Sequence, residues 1–68
     1  MLFVEGERRA VNLDQIKIIW RSGKDIVFDD MHVSCGSETR AQEIFNKLIF
    51  DYALGEKVFR LKEQTEPN

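Results

Sequence analysis

The chain has one cysteine, Cys35, so no disulfide can close within it, and stability must come from a core or from a second copy of the chain. Proline occurs once, at Pro67, and the four glycines at positions 6, 23, 36 and 55 stand alone, which excludes a proline-rich linker and a glycine-rich phosphate loop. No apolar run approaches the length of a membrane span. The segment Met1-Leu2-Phe3-Val4-Glu5 has neither a basic region nor a long apolar region, so no signal peptide is expected, and the expected compartment is the cytoplasm. Charge of one sign is also missing. Ten Lys/Arg against twelve Asp/Glu give a net charge of −2, which lends no whole-molecule support to nucleic-acid binding. What remains is an ordinary folded composition, 43% hydrophobic and 32% charged, in 68 residues. That length makes one small domain near the stability margin. The expected layout is a single domain over 1–62 and a polar tail over 63–68.

The clearest pattern lies between positions 41 and 52. Ala41, Ile44, Phe45, Leu48, Ile49 and Tyr52 recur at i, i+3, i+4, i+7, i+8 and i+11, the spacing of one buried stripe on an α-helix. Ser37 is placed to cap its start, Glu38 to sit at the positive end of its dipole, and Gly55 to follow its end, so the helix should run to about Leu54. Glu43 and Lys47 are spaced for an i, i+4 ion pair.

Everything before the helix reads as short strands. Leu2 to Val4 precedes a turn at Glu5-Gly6-Glu7, and a second strand follows between Arg8 and Leu13. The strongest strand should run from Ile16 to Arg21, with Ile16, Ile18 and Trp20 on one face and Lys17, Ile19 and Arg21 on the other. Ser22-Gly23 marks a turn into a return strand at Asp25 to Phe28, Asp29-Asp30 a second turn, and Met31 to Cys35 a last strand before the helix. The expected fold is α+β: an antiparallel meander of four to five strands packed against one C-terminal helix. Glu56 to Lys62 would add a short final strand or an extended tail. The expected core is Val4, Val11, Leu13, Ile16, Ile18, Trp20, Ile26, Phe28, Val33, Ile44, Phe45, Leu48, Ile49 and Tyr52.

Some apolar residues exceed what this arrangement needs. Phe50 lies about 180° from Ala41 around the helix, and Leu54 one turn further on the same outer face. Three explanations stand open: cover by Val58, Phe59 or Leu61 of the C-terminal segment, a partner surface, or plain exposure. Phe3, Ile19 and Val27 need cover as well, because one helix covers one face of a sheet. Strong sheet curvature or a second subunit would supply it. Phe50, Leu54, Ile19, Val27 and Phe59 are therefore the candidate partner-binding residues, and a homodimer or other homo-oligomer is the favoured partner arrangement, with a heterologous protein also open.

No chemistry-bearing constellation emerges. His32 and Cys35 have opposite strand parity, so they should point to opposite faces, which argues against both a shared metal and a thiolate–imidazole pair. Asp29 and Asp30 read as solvated turn formers. No catalytic residue, metal ligand or cofactor is assigned, and enzymatic activity is not expected. The basic residues Arg8, Arg9, Lys17, Arg21 and Lys24 all fall in the first 24 positions and form the candidate surface for an alternative, a nucleic-acid-binding regulator. Trp20 shares parity with Ile16 and Ile18, which assigns it to the core rather than to such a surface.

The run Val11-Asn12-Leu13-Asp14-Gln15-Ile16-Lys17-Ile18-Ile19, then Ile26-Val27-Phe28, then Ser37-Glu38 and Ala41-Gln42-Glu43-Ile44-Phe45, resembles a class of small bacterial and phage-borne proteins. These carry a "VNLDxIxxI" strand, a hairpin and a Ser-capped "SxxxAQ" helix. The resemblance covers roughly residues 2 to 54 and implies an α+β fold without implying an activity. Size and strand-then-helix order are also similar to the CsrA-type RNA-binding dimers, whose motif residues are missing here, so their function is not carried over. The expectation for function is a non-catalytic interaction or regulatory module that self-associates.

Overall fold

The computed structural model describes residues 1–64; the last four positions of the predicted tail, 65–68, lie outside the described residues. The chain forms β1 (Leu2–Val4), β2 (Ala10–Asn12), a 3-10 turn (Leu13–Gln15), β3 (Ile19–Ser22), β4 (Asp25–Phe28), β5 (Met31–Ser34), α1 (Glu38–Ala53), β6 (Val58–Arg60) and a second 3-10 turn (Leu61–Glu63). The class is α+β, as expected. The strands divide into two three-stranded sheets, ordered β2-β1-β6 and β3-β4-β5. The second is the antiparallel meander. In the first, β1 pairs antiparallel with β2 and parallel with β6. Residues 56–62 thus do hold a final strand, and it joins the sheet that opens the chain.

The core lies where the inner faces of both sheets meet the helix. Phe3, Val11 and Phe59 share one register row of the first sheet. Ile26, Phe28 and Val33 come from the second, and Ala41, Ile44 and Leu48 from α1. Phe3 is the junction: its ring lies 4.8 Å from that of Phe28 and stacks 5.7 Å from that of Phe59. The cover that Phe3 requires is therefore supplied within the chain by the return of β6.

Both helix ends follow the sequence. Ser37 Oγ accepts from the Arg40 amide at 3.1 Å. At the other end Gly55 takes φ +83°, its amide donates to the Tyr52 carbonyl, and the Glu56 amide donates to the Asp51 carbonyl. Those two bonds form a Schellman motif, which satisfies carbonyls the helix would otherwise leave open. The Glu43–Lys47 pair is corrected: Lys47 Nζ instead meets Asp51 Oδ2 at 3.7 Å, the other i, i+4 neighbour on the same face.

The expected strand Ile16–Arg21 is the largest departure. Asn12 Oδ1 accepts from the Asp14 amide at 3.1 Å and helps close the 3-10 turn over Leu13–Gln15. Asp29, in left-handed backbone at φ +57°, then presents its carboxylate Oδ1 to the amides of Lys17 and Ile18, at 3.1 and 3.0 Å. These amides leave the strand ladder, and pairing begins only at Ile19, opposite Phe28. The alternation slips across Ile16–Ile18. Ile16 and Ile19 both pack against the core, whereas Ile18 and Trp20 face out. Asp29→Ala removes both acceptors while keeping the strained φ, and should cost about 1–2 kcal/mol. Asp29→Asn retains an acceptor and tolerates left-handed backbone, so urea unfolding should show a smaller loss for it.

Ile49 and Tyr52 are also corrected from core to half-exposed, and Val4 from core to partly buried. In return Phe3, Val27, Cys35, Ala41 and Phe59 are buried. Phe45 packs against the core from its margin.

Candidate interaction surfaces

Two surfaces stand out among the described residues. The first is the outer side of α1. Phe50 and Leu54 are each 63% exposed, and no segment of the described chain folds over them. The C-terminal segment that could have covered them is committed elsewhere: Phe59 is 2% exposed and stacked on Phe3. On the opposite, sheet-facing side of α1, Leu13, Ile16, Ile19, Leu48, Ile49 and Tyr52 line an open apolar groove of about 290 Å³, with Lys17 at its rim. Tyr52 Oη reaches Asp14 Oδ1 at 3.4 Å across its end. The helix surface carries charges of both signs, Glu43 and the paired Lys47 and Asp51.

Of the five residues expected to bind a partner, the structure brings Phe50 and Leu54 to one exposed face. Ile19 is not brought to that face; it forms a wall of the groove on the sheet-facing side of α1. Val27 and Phe59 are corrected: both are buried within the chain, Val27 on β4 and Phe59 in the core row of the first sheet. Ile49 and Tyr52, assigned from the sequence to the core, instead belong to the exposed apolar region. Their helical spacing matched the buried stripe, but they sit at its margin where the sheet ends.

The second surface is the outer face of β3-β4-β5. The register places Trp20, Val27 and His32 in one row across the three strands. Trp20 is 44% exposed, and the His32 ring is held by Asp25, Nδ1 to Oδ2 at 3.2 Å. Val27 lies between them, away from the main core. Expected burial of Trp20 was one sequence argument against a binding role for this sheet, and its exposure removes that one; the net charge of −2 still stands against nucleic acid.

The five basic residues do not form a single cluster. Lys17 precedes β3 at the rim of the groove, Arg21 shares the register row of the buried Ile26 and Val33, and Lys24 sits in the hairpin turn; none of the three makes an ion pair among the described residues. Arg9 is paired with Glu5, and its Nη2 donates to the His32 carbonyl at 3.3 Å, which puts it at the β5 edge. Arg8 is exposed in the turn between β1 and β2.

Cys35 is buried, and that burial pushes its thiol up, in the direction of the neutral, unreactive form. Among the described residues no three His, Cys, Asp or Glu side chains gather as a metal site would require, and no helix is long and apolar enough to cross a membrane. Comparison with protein-family models, with curated proteins and with solved structures returns no match. Fold and surface together define a small α+β domain whose most distinctive features are exposed apolar residues.

Proposed function

We infer that the protein is a non-catalytic interaction module that works as a homodimer, pairing through the outer side of α1. The observation that carries this is the exposure of Phe50 and Leu54 on one outward face of α1. Phe50 and Leu54 lie on one outward face of a single helix, which suits a two-fold contact in which each copy presents the same patch. Charges of both signs around the face let two identical surfaces meet without net repulsion. The resemblance to small bacterial and phage-borne proteins and a cytoplasmic setting belong to the same proposal.

Phe50→Asp tests it. The side chain is exposed, so the substitution should leave the fold and its melting temperature nearly unchanged. Size exclusion with light scattering should show the variant as a monomer where the unaltered chain is a dimer. A variant that remains dimeric removes Phe50 from the contact and overturns the proposal.

A further inference from the structure

We propose that the open edge of β3 takes up an extended acidic segment of a partner protein as an added strand. An apolar side chain of that segment enters the groove beside α1, and an acidic one meets Arg21. The site lies on the sheet-facing side of α1 and does not depend on dimerisation.

Strand order leaves β3 at an edge of the sheet β3-β4-β5. No residue of β3 is buried, whereas Ile26, Val27 and Phe28 of β4 all are. The Asp29 amide donates to the Ile18 carbonyl at 2.8 Å, so the backbone of Ile18 faces the β4 side. Backbone polar groups alternate in direction along an antiparallel strand. Trp20 and Ser22 therefore face β4, and the N–H and C=O groups of Ile19 and Arg21 point away from it. No strand of the described chain pairs with that side. Two donors and two acceptors in a row form a template for one more strand. The opposite edge is less open, because Arg9 Nη2 donates to the His32 carbonyl of β5 at 3.3 Å.

The space beside the edge fits a side chain. Ile19 projects to the core side of the sheet and walls the apolar groove of about 290 Å³, which Leu48, Ile49 and Tyr52 of α1 close from the other side. Residues paired across strands project to the same face. A residue of an added strand opposite Ile19 thus enters the groove. Arg21 lies two positions on, about 7 Å along the strand. It shares the face of Ile19, in the row of the buried Ile26 and Val33, and is itself exposed at the edge. The residue opposite Arg21 comes to lie beside its guanidinium.

Charge selects the occupant. Lys17 at the groove rim and Arg21 make no ion pair among the described residues. Asp14, at the groove's end, is already engaged by the Met1 amino group and the Tyr52 hydroxyl, each at 3.4 Å. A second copy of β3 on this edge would line up Lys17 and Arg21 of both chains, and like charges opposed across strands are destabilising. The two cations thus disfavour self-pairing here and favour an acidic segment. An antiparallel segment meets Arg21 before Ile19, so its pattern is an acidic residue followed two positions later by an apolar one.

The probe is the capped peptide Thr-Thr-Glu-Thr-Leu-Thr-Thr, with one control carrying Lys for its Glu and another Ser for its Leu. Amide hydrogen exchange of the full-length chain, resolved by NMR, reads docking at the edge. The Glu peptide should slow exchange at Ile19 and Arg21 and shift the emission of Trp20, the only tryptophan, on the same strand. The Lys peptide should bind about ten-fold more weakly. The Ser peptide should also lose affinity. Arg21→Glu should reverse the preference between the Glu and Lys peptides, with circular dichroism checking that the variant folds.

Unchanged exchange at Ile19 and Arg21 with the Glu peptide overturns the proposal. So does equal binding of the Glu and Lys peptides, and so does an unaltered preference in Arg21→Glu. Phe50→Asp leaves this edge intact and should bind the Glu peptide as the unaltered chain does; loss of binding there would place the peptide on the outer side of α1 and overturn this site. An unaltered chain that is monomeric yet binds the Glu peptide ends the dimer reading and supports this one.

Discussion

Phe3→Ala lowers the melting temperature by at least about 12 °C. Phe3 is fully buried and is the one side chain whose ring contacts Phe28 of the meander and Phe59 of the last strand at once. Truncating a buried phenylalanine to alanine costs about 3–5 kcal/mol, from lost burial and from the cavity left behind. That cost already includes the two ring contacts, which favour its upper part. A domain of 68 residues has about 3–10 kcal/mol of total stability, so the loss consumes most of what holds it folded. Thermal unfolding followed by circular dichroism measures it. A melting temperature within a few degrees of the unaltered protein would show that the two sheets do not depend on this junction.

Ending the chain at Gly55 has a still larger effect: the protein no longer unfolds cooperatively, because it is already unfolded. The cut removes β6 and with it Phe59, one of the largest fully buried side chains apart from residues at the margin. It also strips β1 of its parallel partner and of the bond from the Leu2 amide to the Lys57 carbonyl at 2.8 Å. Arg40, whose Nη2 donates to the Gln64 carbonyl at 2.7 Å, loses its acceptor. β1 and β2 would remain as a lone two-stranded hairpin, which is marginal in water. The expected readout is loss of the sheet signal in circular dichroism and no urea transition. A truncated chain that still unfolds cooperatively would mean that α1 and the meander form an independent unit.

The same segment shows what could and could not be read from the sequence. The helix was legible from start to end, because its signals are local: Ser37 before it, the apolar stripe through it, Gly55 after it. The meander was legible for a similar reason, since Gly23 and Asp29 mark its turns and alternation marks its strands. The pairing of β6 with β1 was not, because it joins residues more than fifty positions apart and nothing in Val58-Phe59-Arg60 names its partner. Phe3 consequently looked short of cover and Phe59 looked available to a partner, when each covers the other.

The candidate surfaces divide along the same line. Phe50 was legible as outward-facing from its angle on the helix alone, and it is exposed. Trp20 was misassigned because the alternation was carried unbroken from Ile16. The break comes from Asp29, a residue eleven positions beyond Ile18 whose carboxylate takes two amides out of the ladder. A side-chain acceptor reaching across that distance leaves no periodic trace. The only available sign was the doubled Asp29-Asp30, which fits a turn former equally well.

The proposed pairing of two copies through the outer side of α1 is tested most directly by sedimentation velocity on the unaltered chain at tens of micromolar. A dimer at twice the 8.0 kDa chain mass is the predicted result. A lone species of 8.0 kDa across that range would contradict it, leaving Phe50 and Leu54 exposed without a second copy to cover them.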